Sequence, residues 1–177
     1  MSKGEQRKHI KELIRQFSAK QLQELSTDVL ARIEKHPLFC SANIILLYYS
    51  LPDEVHTHSL IEKWCQKKTI LLPKVCGHIL TLHQYLDKSC VKEGFMKIKE
   101  PITEQFHDTC SIDLAIIPGL AFDRQGFRLG RGKGFYDKLL CQPYFANVYK
   151  IGIAFPFQIL PHVCHEAHDI RMNEVIW

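Results

Sequence analysis

The chain predicts an α/β fold, a single three-layer α/β/α domain over residues 1–177 with a mostly parallel sheet. Three observations carry that expectation. Short, almost wholly apolar runs at Asn43 to Tyr49, Ile112 to Ile117 and Tyr149 to Phe155 have the pattern of strands covered on both faces. Helical periodicity separates and precedes them, and a glycine-rich loop follows the second run directly, where open α/β sheets place ligands. At 177 residues and 46% hydrophobic, the chain can bury a core without disulfides or metal.

Taken in order, Ile10, Leu13, Ile14 and Phe17 form one apolar stripe of a first helix whose other faces carry Lys3, Arg7, Lys8, Lys11 and Arg15. Ser18 with Gln21 makes a capping box for a second helix, striped by Leu22, Leu25, Val29 and Ile33 and expected to stop at Pro37. The run 43–49 is the first strand, and Leu60, Ile61 and Trp64 mark a helix over 57–67. Thr69 to Val75 completes a βαβ unit, and Ile79 to Leu86 alternates more weakly, as a further strand or a hairpin arm. The segment 87–111 is polar, with a short strand expected at 95–98, and loops of that length tend to be functional. No repeat, low-complexity tract or linker divides the chain.

Lys and Arg number 23 against 19 Asp and Glu, a net charge of +4 that suits small anionic ligands and is mild for a nucleic-acid binder. Seven cysteines are scattered without a C-x-x-C pair and read as reduced core thiols. With no apolar signal core and no run long enough to span a bilayer, the expectation is a cytoplasmic protein, monomeric, with no membrane and no nucleic-acid partner.

The most informative stretch runs from Pro118-Gly119 through Phe122-Asp123 to Gly126, Arg128, Gly130, Arg131, Gly132, Lys133, Gly134, Phe135, Tyr136 and Asp137. Four of the nine glycines fall between Gly126 and Gly134, where the missing Cβ lets backbone N–H groups turn toward a ligand, and Arg128, Arg131 and Lys133 add charge. It is not a Walker loop, because Gly134 rather than Ser or Thr follows Lys133, and its alternating glycines are not the dinucleotide fingerprint. His162, Cys164, His165 and His168 lack the spacing of a zinc site.

This stretch resembles the signature of the 5-formyltetrahydrofolate cyclo-ligase family, in which Pro-Gly-x-x-Phe-Asp precedes Gly-x-Arg-Leu-Gly-x-Gly-x-Gly-x-Tyr-Asp. The likeness recurs at Lys3 and Arg7, at Tyr49-Ser50 through Asp53-Glu54, at Leu72-Pro73, at Glu100-Pro101 and at His168-Asp169. It implies ATP- and Mg²⁺-dependent closure of 5-formyltetrahydrofolate to 5,10-methenyltetrahydrofolate. ATP contacts are implied at Lys3, Arg7, Arg128, Gly130, Arg131, Gly132, Lys133, Gly134, Phe135 and Tyr136, with Lys133, Arg131 and Tyr136 catalytic. Tyr49, Glu54, Arg131 and Phe135 would contact the folate, and Asp137 and Asp169 the metal. Asn173 stands where the family more often has an acid, Arg131 where many relatives have Tyr, and Phe135 where Tyr is common. The alternative reading is a non-catalytic folate- or nucleotide-binding regulatory protein that keeps the pocket alone.

Overall fold

The computed structural model describes residues 1–94, 99–166 and 168–177; the strand expected at 95–98 lies outside them. Helix α1 (Lys3–Ile14) starts at Ser2, and α2 (Ala19–Lys35) at Ser18, each through a reciprocal capping box that satisfies two otherwise unpaired N–H groups. Pro37 does more than end α2. It occupies the first turn of a third short helix, α3 (Pro37–Ser41), where its missing N–H costs no bond.

Strand β1 (Ile44–Leu46), α4 (His58–Trp64) and β2 (Thr69–Cys76) form the expected βαβ unit. Gly77, at φ 60°, turns β2 into the antiparallel β3 (Ile79–Tyr85), so the weaker alternation there is a hairpin arm. The polar segment carries a small hairpin, β4 (Val91–Glu93) with β5 (Lys99–Pro101). There follow β6 (Leu114–Pro118), β7 (Ala121–Asp123), β8 (Arg128–Leu129), α5 (Phe135–Leu140), β9 (Tyr149–Ile153), β10 (Ile159–Leu160) and β11 (Glu174–Ile176).

The main sheet has six strands in the order β3-β2-β1-β6-β9-β11, parallel except for β3. Counted along the chain this is the 3-2-1-4-5-6 order, whose direction reverses between β1 and β6. Alternate residues of each strand face opposite layers. Ile45, Leu47, Ile70, Leu72, Leu114, Ile116, Ile151 and Ile153 join the cluster built by α1 to α4. Leu46, Leu71, Ala115 and Ile117 join Leu139 and Leu140 of α5 and Phe145 on the other side. Three layers result, with four helices against one.

Among the described residues no helix is long and apolar enough to cross a membrane. All seven cysteines are free, and only Cys90 is buried; Cys40, Cys76, Cys110 and Cys141 are exposed. The expectation of core thiols is therefore corrected. Cys40 and Cys141 lie within or just past short helices whose other faces supply the core, and apolar neighbours in sequence do not decide which face a residue takes.

Candidate active site

The strand order reverses between β1 and β6, and the carboxyl ends of strands at such a point are where open α/β sheets place ligands. The segment after β1 is braced by its own side chains. Tyr48 Oη donates to Val55 O at 3.0 Å, Thr57 N–H donates to Ser50 Oγ at 3.1 Å, and the Thr57 hydroxyl donates to Tyr48 O. Inside it, Glu54 N–H donates to Leu51 O at 3.1 Å, and Leu51 N–H returns a bond to Glu54 Oε2 at 2.9 Å. Glu54 is only 8% exposed. Burial pushes its carboxyl above the usual range, against the Arg131 cation and the Leu51 N–H, which pull it down.

Tyr49 stacks on His58 with ring centroids 3.9 Å apart, and His58 Nε2 lies 3.1 Å from Ser50 O. Burial holds the His58 imidazole below its usual range. His58 carries no motif in the sequence; its position at the start of α4 beside the β1 exit is the only signal that could have found it.

The opposing wall descends from β6 through the β7–β8 hairpin. Asp123, 1% exposed, accepts the N–H groups of Gln125 and Phe127 on Oδ1 at 3.0 Å each and of Val163 on Oδ2 at 2.9 Å. The aspartate of the Pro-Gly-x-x-Phe-Asp run is thus a structural knot joining the hairpin to the C-terminal segment. Gly126 is required at its turn: φ is 91°, and a Cβ would lie 2.4 Å from Met172 O.

Arg128 is buried beneath the glycine loop rather than lying on its surface. Its Nη2 meets Asp137 Oδ1 at 2.7 Å, its Nη1 reaches Pro118 O at 3.4 Å, and its guanidinium lies 5.5 Å from the Tyr136 ring centroid. Its Nε is buried without a partner among the described residues. Burial, then the Glu54 carboxylate, push the Tyr136 phenol well above its usual range, so it stays protonated at neutral pH.

The loop from Arg131 to Gly134 has a different character. None of its four backbone N–H groups donates a hydrogen bond elsewhere in the described chain. Gly132 and Gly134 sit at φ 102° and 68°, in left-handed conformations that Cβ-bearing residues rarely adopt. Lys133 is exposed and Phe135 half-buried. Two arginines hold the loop. Arg7 Nε, from α1, donates to Gly130 O at 2.8 Å. Arg131 reaches the other way: Nη2 and Nη1 form a fork on Asp53 Oδ1 and Oδ2 at 2.6 and 3.1 Å, while Nε and Nη2 donate to Glu54 Oε1 at 3.1 and 3.0 Å.

Lys3 and Asp169 meet as the two ends of the chain. Lys3 Nζ lies 2.6 Å from Asp169 Oδ2 and 3.0 Å from Glu166 Oε1, and Gln6 adds bonds to His162 O and from Cys164 N–H. For Asp169, burial pushes the carboxyl up, but Lys3 and the Glu166 N–H outweigh it and hold it below its usual range. Asn173 Oδ1 accepts the Lys150 N–H at 2.8 Å, so the amide found there anchors β9. No group of three or more His, Cys, Asp or Glu side chains that could hold a metal occurs among the described residues.

The arrangement therefore joins Glu54 to the glycine loop through Arg131, brings Arg7 under that loop, and ties Lys3 to Asp169. Asp53 is the residue that sequence reasoning passed over, since a carboxylate there serves equally well as a helix cap; its partner lies 78 positions away.

Comparison with known proteins places the chain in a family. The model of the 5-formyltetrahydrofolate cyclo-ligase family matches residues 1–177. A 5-formyltetrahydrofolate cyclo-ligase of Mus musculus is 28% identical over 184 residues, covering 97% of this chain and 91% of its own. One of Haemophilus influenzae is 30% identical over 141 residues, 76% of this chain and 75% of its own. The solved structure of Aquifex aeolicus 5,10-methenyltetrahydrofolate synthetase superposes with a TM-score of 0.87 at 30% identity, covering 99% of this chain and 89% of that one. The chain is an enzyme of the 5-formyltetrahydrofolate cyclo-ligase family.

Proposed function

We propose that this protein converts 5-formyltetrahydrofolate to 5,10-methenyltetrahydrofolate with ATP, releasing ADP and phosphate. The observation that carries the reading is the loop of unpaired N–H groups at 131–134, tied by the Arg131 side chain to a braced carboxylate, Glu54, across the strand-order reversal. Unpaired backbone donors in a left-handed glycine turn are suited to phosphate oxygens, and a buried acid beside an aromatic wall is suited to the N–H edge of a pterin.

The formyl oxygen on N5 is a poor leaving group. Its attack on the γ-phosphorus breaks the bond to ADP and makes a phosphate ester of it. N10 then attacks the formyl carbon and loses its proton, and the C–O bond breaks as phosphate departs. In phosphoryl transfer the protein supplies alignment and charge rather than a nucleophile. The N–H groups of 131–134, with Lys133 and Arg7, would bind the phosphates, and Lys3 is a further cation on the same face of α1. Arg128 supports the loop from below, and Tyr136, kept protonated, can donate a hydrogen bond to the developing oxyanion. Phe135 and Tyr49 would flank the folate, with Glu54 on the pterin and Arg131 between the two ligands.

Mg²⁺ binds through one or two carboxylates together with substrate phosphates and water. Asp137 fits: Arg128 holds Oδ1, and no hydrogen bond engages Oδ2 among the described residues. Asp169 fits less well, since Lys3 and the Glu166 N–H hold its Oδ2. The ion's contribution would be to neutralise charge on the phosphates.

The test follows methenyltetrahydrofolate absorbance with purified protein, 5-formyltetrahydrofolate, ATP and Mg²⁺, omitting each in turn. Product only in the complete mixture supports the enzyme. Binding of both ligands with no product would leave a regulatory binding protein instead.

A further inference from the structure

All three nitrogens of Arg131 are engaged, and by two acids of different kinds. Glu54 is almost wholly buried and turned inward, with Oε1 on the guanidinium and Oε2 on the Leu51 N–H. Asp53 is about a third exposed and meets the guanidinium end-on, Nη1 and Nη2 each on one carboxylate oxygen, a bidentate fork of the strong kind. A ligand that claims Glu54 therefore removes one of the two anchors of Arg131. On the far side the loop's remaining side-chain tether is Arg7 on Gly130 O.

We propose that Asp53 is a positioning residue that couples the two substrate sites: it holds Arg131, and with it the glycine loop, in place once the folate has taken Glu54. The inference rests on the proposed function above. When no folate is bound, Glu54 and Asp53 hold Arg131 together and loss of either still leaves an anchor. With folate on Glu54, Asp53 is the remaining anchor of Arg131 and, together with Arg7 on Gly130 O, keeps the loop in register for the nucleotide. In its absence the entropy of ordering the loop falls on ATP binding. Asp53 thus affects the nucleotide only when the other substrate is present.

The experiment measures the dissociation constant of a non-hydrolysable ATP analogue by calorimetry, with and without saturating 5-formyltetrahydrofolate. Parent, Asp53→Asn and Asp53→Glu proteins are compared. The Asn side chain keeps the shape but replaces one acceptor of the fork with a donor that faces Arg131. The expected result is that Asp53→Asn changes analogue affinity less than about twofold when folate is absent. With folate bound it weakens the analogue by about five- to tenfold, the lower end of ordinary site-to-site coupling. Asp53→Glu restores most of the difference. A change of equal size with and without folate, or none in either state, overturns the inference and assigns Asp53 to the surface of the loop. If the parent binds neither ligand, the proposed function itself fails and takes this inference with it. If the parent binds both while Asp53→Asn shows no folate-dependent effect, only the coupling fails.

Discussion

The two walls of the candidate site are built on opposite plans. The segment after β1 satisfies itself: Tyr48, Ser50, Glu54 and Thr57 each form hydrogen bonds within residues 48–57. The segment from Arg131 to Gly134 leaves its N–H groups unpaired and depends on arginines that also serve other elements. Arg131, Gly132 and Lys133 are exposed and Gly134 half-buried, so solvent can serve these donors in the free protein and they stay available to an incoming acceptor. The contrast separates a segment whose polar groups are paired within itself from one whose backbone donors are open; under the proposed function the first would receive the folate and the second the phosphates.

If that division is right, the largest single effect belongs to the open wall. Lys133→Ala removes an exposed cation that nothing in the described chain holds, so folding should be untouched while kcat/KM falls by about 2–4 kcal/mol of transition-state stabilisation, or roughly 30- to 1,000-fold. Steady-state kinetics beside thermal unfolding tests it; parental kinetics would make the loop a plain turn.

The next effect sharpens the turn that carries this wall. Gly126→Ala forces a Cβ to within 2.4 Å of Met172 O at φ 91°, with no flexible side chain to yield. A loss of about 1–3 kcal/mol of stability is expected, read as a lower unfolding midpoint in denaturant. Gly134→Ala also has positive φ but meets nothing within 4 Å, so its loss should be smaller.

On the self-paired wall, Glu54→Gln keeps the shape and the Leu51 bond while trading an acceptor for a donor. Folate affinity should fall about tenfold, near 1.4 kcal/mol, with ATP affinity measured alone little changed. Titration of each ligand separately decides it, and equal weakening of both would move Glu54 out of the folate wall.

The smallest effect concerns the Lys3–Asp169 contact between the chain ends. Asp169 has a lowered pKa, so its contribution to stability is present above the ordinary carboxylate value near ~3.9 and lost as pH falls through the lowered one. Lys3 has a raised pKa, so its share is present below its ordinary value near ~10.4 and lost above the raised one. The difference in unfolding free energy between parent and Asp169→Asn should be present at neutral pH, amount to at most about 1 kcal/mol, and vanish in acid. A difference unchanged by acid would assign the contact to packing.

Much of this plan was legible before folding. The doubly covered runs gave β1, β6 and β9 because burial on both faces leaves a continuous apolar signal, and the capping boxes at Ser2 and Ser18 mark both leading helices, though only the second was read in advance. Strands β7, β8, β10 and β11 were not legible, since two or three residues carry no period, and their pairing partners are set by tertiary packing. Of the site, the glycine loop announced itself by composition. The Arg131–Asp53 fork did not, because each residue alone looks like ordinary surface charge and nothing local links positions 78 apart. The burial of Arg128 was likewise hidden, as motif spacing does not tell whether a cation lies on a loop or under it.

The central claim is that the amides of 131–134 are reserved for phosphate oxygens, and amide hydrogen exchange at those residues tests it most directly. A non-hydrolysable ATP analogue should slow exchange at Arg131 to Gly134 by an order of magnitude or more, roughly the protection a new hydrogen bond confers, whereas 5-formyltetrahydrofolate alone should leave those amides exchanging as in the free protein. Unchanged exchange with the analogue bound would contradict the account and place the phosphates elsewhere.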